Sequence, residues 1–271
     1  MAFVKNPNKI DILLPTDKWF FLQNSALSSV PIMEDGHTIA EGFDKYVNDN
    51  GNTFINEDLL QFAKTYFGAP IFRDHNQDMN FIYGFVADVA LRKVKENGKY
   101  RFIVELLMAI NKEVSPDVDF VKQIEETGEV KTSMGVLSTS TICSLCGNIS
   151  VSDTDECHHI IFHLGDKYIT PYGYKSVIAD IASPLNKNRE IPEYDEDDYD
   201  SYPMTFIENS LLSYDHPPAY AGVTNSFLYH FPQTILSKGV VKLSLPARAY
   251  TRTKFSALKS FERKNQLEIL K

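Results

Sequence analysis

Apolar residues recur at helical spacing from about Glu57 to Phe67, where Leu59, Leu60, Phe62, Ala63 and Phe67 can share one face. Asn56 stands before them as a candidate cap, and Glu57 and Asp58 suit the positive end of a helix dipole. Gly68 and Pro70 end the pattern. Two strand-like runs follow, Phe81 to Leu91 and Tyr100 to Ile110, with Asn97-Gly98 between them as a strong hairpin signal. A second helix is predicted with Ser115 as its cap, Pro116 in first position, Val118, Phe120, Val121 and Ile124 along one side, and Gly128 at its end. From Val130 to Thr139 the pattern changes to alternation. Val130, Thr132, Met134 and Val136 share one face of a strand, and Ser133 lies on the other beside Gly135. Strand-like patterning returns from Tyr168 to Ala182 around Gly173, and again from Phe206 to Leu212. Pro217-Pro218-Ala219-Tyr220 begins a turn or short helix.

Other stretches pattern weakly. The first 55 residues mix short apolar runs, such as Trp19 to Leu22, with Asn, Gly and Pro, which predicts loops and short strands. Asn48 to Asn52 is a turn by chemistry. Residues 186–200 carry Glu190, Glu193, Asp195, Glu196, Asp197, Asp198 and Asp200, and read as a flexible, solvated surface loop. From Lys238 to the end the charge reverses, with nine Lys/Arg against two Glu. That tail reads as a solvated terminal helix or a partner-docking segment, with Lys259, Arg263 and Lys264 on one side and Phe255, Leu258 and Phe261 on another. The mixture of helices and strands is an α+β class. Its expected division is an N-terminal segment of unassigned role (1–55), a main domain (56–235) and a basic C-terminal tail (236–271).

Composition narrows the function. The chain has 271 residues and 43% hydrophobic residues, enough to bury a core without disulfides. A net charge of −9 argues against a general nucleic-acid binder. Three cysteines do not make a secreted disulfide scaffold. No apolar run reaches the ~18–20 residues that span a bilayer, and the first residues lack the apolar core of a signal peptide. The expectation is a soluble intracellular protein with no membrane partner.

All three cysteines fall within residues 143–163. Cys143 and Cys146 have the spacing of a zinc-knuckle half, and Gly147 lets backbone N–H groups approach the sulfurs. Cys157 follows, with His158, His159 and His163 close behind. Structural zinc takes four N/S ligands in a tetrahedron, which closes the shell, whereas catalytic zinc keeps a position open. The expected set is Cys143, Cys146, Cys157 and His159, with His158 and His163 as alternatives for the fourth position. The competing redox chemistry of a Cys-x-x-Cys pair normally opens a helix after a strand, and Gly147-Asn148 reads as a turn.

With the cysteines committed to metal, covalent catalysis would need Ser, Thr or Lys. Ser133 stands on a strand after a capped helix, His75 in the polar segment Asp74-His75-Asn76, and Glu208 on an apolar strand where a carboxylate must be paired or face outward. A serine nucleophile needs a base, and the base needs an orienting group. These residues can supply the parts, although a satisfied histidine and a solvent-facing glutamate are the more ordinary reading of the same positions.

The order of short motifs carries more information than any one of them. His75-Asn76-Gln77, Gly84-Phe85-Val86, Thr132-Ser133-Met134-Gly135, the cysteine module, and Phe206-Ile207-Glu208-Asn209-Ser210 with Pro218-Ala219-Tyr220 follow one another. In that order they resemble the prohead (capsid maturation) proteases of large tailed phages, which belong with the herpesvirus assemblin-like serine proteases. The likeness covers roughly residues 65 to 225. It implies an assemblin-like β-barrel core ringed by helices, with a zinc-knuckle insertion. It also implies a serine endopeptidase with His75 as base, Ser133 as nucleophile and Glu208 as third member. Implied substrates are the scaffold protein and the major capsid protein, met inside the viral procapsid in the host cytoplasm, and a homo-oligomer is possible in this clan. The chain departs from the family pattern in Asn209-Ser210-Leu211-Leu212, which replaces a more apolar run, and in the extra residues Ser213 to His216 before Pro217. Two other readings stand beside this one: a catalytically silent structural virion or capsid-assembly protein of the same fold, and a zinc-ribbon interaction module on an unrelated α+β domain.

Overall fold

A computed structural model describes residues 9–33, 36, 38–113, 117–213, 226–228, 240–246, 264 and 268–270. In chain order the elements are β1 (Lys9–Pro15), β2 (Trp19–Val30), β3 (Asn52–Ile55), α1 (Asn56–Phe62), β4 (Pro70–Ile71), β5 (Gly84–Glu96), β6 (Lys99–Asn111) and α2 (Val118–Thr127). Next come β7 (Lys131–Ser138), β8 (Thr141–Cys143), β9 (Ile149–Ser150), α3 (His158–His163), β10 (Lys167–Ile169), β11 (Lys175–Val177) and β12 (Asp180–Ala182). The last are β13 (Met204–Leu212), β14 (Ser226–Leu228), β15 (Val240–Pro246) and β16 (Glu268–Leu270). The fold is therefore mixed, mostly strand with a few helices. The largest sheet runs β4-β5-β6-β2-β3-β12-β8-β9, with β14 also on β2. β13 pairs with β7, β10 with β11, and β1 lies between β15 and β16. Among the described residues none of these sheets closes, so the barrel expected from the family likeness is not present there.

β2 explains why the N-terminal region patterns so weakly. Phe20, Leu22 and Leu27 pack into the main core with Phe54, Val104 and Phe206. Trp19 and Phe21 point the other way, into a second cluster with Ile12, Leu14, Phe85 and Val241. A strand buried on both faces shows no alternation. Its apolar run is further interrupted by polar residues that find buried partners. Asn24 Oδ1 accepts from Thr132 Oγ1 at 3.1 Å, and Ser28 Oγ from Arg101 Nη1 at 2.7 Å. The expected loops and short strands are thus, in β2, one long strand flanked by β6 and β3.

The two predicted helices form with changed details. α1 stops at Phe62 and tightens into a 3-10 turn over Ala63–Tyr66. Asn56 does not cap it: its carboxamide accepts from Ser29 Oγ at 2.5 Å and donates to Tyr100 O at 2.8 Å. Leu60, expected on the apolar face, is 56% exposed. In α2, Val121 and Ile124 face the core, while Val118 is exposed and Phe120 packs under Arg73. Gly128 closes the helix at φ +72°. Ser115 and Pro116 lie outside the described residues. The β5–β6 hairpin turns at Asn97 and Gly98, both with positive φ.

The acidic stretch is a surface segment with its carboxylates exposed, as expected, and its tyrosines tie it to the core. Tyr199 is buried, and the Tyr194 and Tyr202 rings lie 6.0 Å from that of Phe62. Apart from Lys264, the tail residues that are described form strands: β15 pairs antiparallel with β1 along its whole length, and β16 pairs with β1 from the other side. Phe255, Leu258, Lys259, Phe261 and Arg263, and likewise Pro217 to Tyr220, lie outside the described residues. No helix among the described residues is long and apolar enough to cross a membrane.

One buried group yields a stability test. Asp58 sits in the first turn of α1, yet burial pushes its carboxyl up to about 7, with the nearby Ser183 hydroxyl opposing the shift. A folded-state pKa above the unfolded value means that stability is complete below about pH 4 and is lost as pH rises through 7. Asp58→Asn is therefore expected to match the parent in urea melts at pH 4 and to exceed it at pH 8 by on the order of 2–4 kcal/mol. Equal melts at pH 8 would contradict a buried Asp58 with a raised pKa.

Candidate active site and metal centre

β13 and β7 build the floor of the site. They run antiparallel, with Ser210 opposite Ser133 and Glu208 opposite Gly135. Opposed residues share a face, so these four lie on one side, while Met134, Val136, Phe206 and Leu211 face the main core. A bulge between Phe206 and Glu208 re-aims the strand there. Gly135 is required by close approach: a Cβ on it would lie 2.7 Å from Glu208 Cγ and 2.9 Å from its Oε1. The alternation expected around Ser133 is the one observed.

His75 is brought to the same strand by the chain leaving β4. Leu211 N donates to Phe72 O at 2.9 Å, and Asp74 N donates to Leu211 O at 3.0 Å. Asp74 and His75 then take left-handed backbone angles, φ +51° and +60°, unusual for residues other than glycine. The Asp74 carboxylate holds this turn by accepting from Ser213 N at 2.8 Å and from Ser213 Oγ at 2.5 Å. Arg73 reaches Asp117 at 2.9 Å, and Asp117 also bonds the Tyr83 hydroxyl.

The result is a paired acid and base. His75 Nδ1 lies 2.5 Å from Glu208 Oε1, and Glu208 Oε2 accepts from Ser210 Oγ. The Glu208 side chain is 2% exposed and the His75 side chain 44%. Glu208 is therefore not the solvent-facing carboxylate that the ordinary reading of its strand would give. The Glu208 hydrogen bond raises the His75 pKa above its ordinary value, against the opposing effect of burial. His75 and Ser133 both line a cleft of about 550 Å³, whose lining also includes the polar Asn52, Thr141 and Asp180. Sequence reasoning named His75, Ser133 and Glu208. It did not give roles to Asp74, Ser213 or Ser210. The two-residue step from Glu208 to Ser210, which puts both on one face of a strand, was the available signal for Ser210.

The metal-ligand cluster lies across the adjacent sheet. The β8–β9 turn is a knuckle: Cys143 N donates to Asn148 O at 3.0 Å and Gly147 N donates to Cys143 O at 2.9 Å, with Gly147 at φ +68°. Cys157 stands at the N-terminal end of α3. One ligand atom from each of Cys143, Cys146, Cys157 and His159 lies within 4.8 Å of all the others. Cys146 Sγ is 3.5 Å from Cys157 Sγ, and Cys157 Sγ is 3.9 Å from His159 Nδ1. A tetrahedron with metal–sulfur bonds of ~2.3 Å has edges of ~3.8 Å, so the donor set fits a metal ion. Burial pushes the Cys143 thiol up to about 12, so a bound cation is what would hold it as thiolate. The two alternatives for the fourth position point elsewhere: His163 Nδ1 bonds Asp166 at 3.0 Å, and His158 packs against the rings of Phe162 and His163.

Cluster and cleft share a strand. β8 turns Thr141 to the cleft and ends in Cys143, which is paired in register with Asp180 of the cleft. No protein family, curated protein or solved structure matches this chain.

Proposed function

We propose that this protein is a serine endopeptidase of the prohead-protease type, with Ser133 as nucleophile, His75 as general base and Glu208 as the group that orients it. The His75–Glu208 pair carries the reading. A proton on Nδ1 directed at a buried carboxylate leaves Nε2 with its lone pair, able to take a proton from a serine. Ser133 lies on the wall of the same cleft. In the reaction His75 takes the Ser133 proton as Oγ attacks the peptide carbonyl, and Glu208 stabilises the imidazolium that forms. The imidazolium then protonates the leaving amine, and water hydrolyses the acyl-enzyme. Scaffold and capsid proteins inside a procapsid are the substrates this reading implies, on the motif likeness described above. The metal is zinc by ligand type, three thiolates and one imidazole, and its role is structural because four protein ligands leave no open position.

The test compares the parent with Ser133→Ala, following intact mass over hours at high concentration, alone and with the scaffold protein added. The parent is expected to cut itself or the scaffold, and Ser133→Ala neither. If the parent leaves both whole while folded and metal-loaded, the proposal fails and the catalytically silent capsid-assembly reading replaces it. Where activity is present, it should rise with pH as His75 loses its proton, with a midpoint above the ~6.5 of an ordinary histidine.

A further inference from the structure

Ser210 is fully buried, and its single hydroxyl touches both members of the pair. Its Oγ donates to Glu208 Oε2 and accepts the backbone N–H of His75 at 3.3 Å. Only a group that is donor and acceptor at once can do both. The arrangement matters because of the two left-handed residues beside it. Such a non-glycine conformation is costly and persists only where surrounding contacts hold it. Here the turn is held at two points, Asp74 by Ser213 and His75 by Ser210. Both anchors belong to the strand that carries Glu208 or its immediate continuation, so base and carboxylate are referenced to one rigid element.

We propose that Ser210 is a positioning residue: its hydroxyl occupies Glu208 Oε2, so that Oε1 is presented to His75 Nδ1, and it pins the His75 backbone in the conformation that makes this contact. Its kinetic consequence rests on the protease reading, while its geometric consequence does not. The charged groups that face His75 are Glu208 from β13 and Asp74 from the turn itself, and Asp74 is in turn met by Arg73 at 3.3 Å.

The experiment separates the two consequences. In a Ser133→Ala background, which removes any self-cleavage, the His75 ring is followed by nitrogen-15 NMR across pH in the parent, Ser210→Ala and Ser210→Thr. Loss of the hydroxyl frees the carboxylate to rotate. The downfield Nδ1–H resonance should therefore be lost in Ser210→Ala, and the His75 midpoint should fall toward the ordinary value. Threonine, which keeps the hydroxyl, should restore both. With Ser133 intact, Ser210→Ala should lower kcat about 10- to 100-fold at unchanged KM, the size of a misplaced catalytic group. An Ala variant with the parent's resonance and midpoint overturns the proposal. If the Ala variant does not fold, Ser210→Cys, a weak donor of similar volume, should give a partial shift, and a Cys variant identical to the parent overturns it equally. Absence of any peptidase activity counts against the proposed function alone, because the NMR arm is read without it.

Discussion

On the proposed serine-endopeptidase reading, Glu208→Gln is expected to lower peptide hydrolysis by about 10³–10⁴-fold without unfolding the protein. The carboxamide fills the same space against Gly135 but removes the negative charge that stabilises the imidazolium. If its amide donates to His75, the imidazole is also forced into the tautomer whose Nε2 bears the proton and cannot accept one from Ser133. The complementary variant, His75→Ala, behaves differently in the folded state. It leaves a 2% exposed carboxylate without its cation, with Ser210 as its remaining partner. At pH 6, where the raised His75 pKa keeps the imidazole protonated, this should cost roughly 2–4 kcal/mol. The double variant should recover most of that loss, because a neutral carboxamide needs no counter-charge. Urea melts of the four proteins give the coupling directly. Additive single effects would mean that the two side chains do not act as a pair, and a Glu208→Gln protein with full activity would remove Glu208 from the mechanism.

Metal removal should unfold residues 143–163, including β9 at the edge of the large sheet, and leave the rest of that sheet intact. The module has little core of its own: Cys143 and Ile160 pack with Ile178 from outside it, while Val151, Ile161 and Phe162 are exposed. Four ligands on one ion would replace the hydrophobic closure that this segment lacks, and structural zinc contributes ~10 kcal/mol or more in small domains. After chelation, or in Cys143→Ser, amide exchange in 143–163 should rise at least about 100-fold, the consequence of losing a few kcal/mol of local stability. Exchange in β2, β5 and β6 should stay near that of the parent. The cleft should change as well, since Thr141 and Asp180 stand beside Cys143 on β8 and β12. Reconstitution with cobalt gives a separate readout, the visible ligand-field bands of a tetrahedral site, which His159→Ala should shift and His163→Ala should not. Unchanged exchange after chelation would show that the metal does not brace the module.

Several features were legible in the sequence because they are local. The Asn97-Gly98 hairpin, the C-terminal end of α2 at Gly128 and the alternation around Ser133 depend on backbone sterics and on which face of an element each residue occupies. The metal set was legible for a related reason: two cysteines of a tight knuckle and a third near a histidine can meet without long-range help, and only the choice among His158, His159 and His163 needed α3 in place.

What tertiary structure decided was everything that depends on partners distant in the chain. Asn56 has the chemistry of a cap, but Ser29 and Tyr100 claim it. Asp58 suits a helix dipole, but burial overrides that preference. β2 reads as broken because its polar residues are paid for by Thr132 and Arg101 from other strands, and because both of its faces are buried. The acidic segment reads as solvated because its carboxylates outnumber the tyrosines that anchor it on Phe62. The sequence by itself named His75, Ser133 and Glu208 as candidates. Only the pairing of β13 with β7, and the return of the chain from β4 along β13, place the imidazole against a buried carboxylate. Spacing along a chain determines faces and turns, whereas contact between residues more than a hundred positions apart is determined by sheet register and by which charges the core can bury.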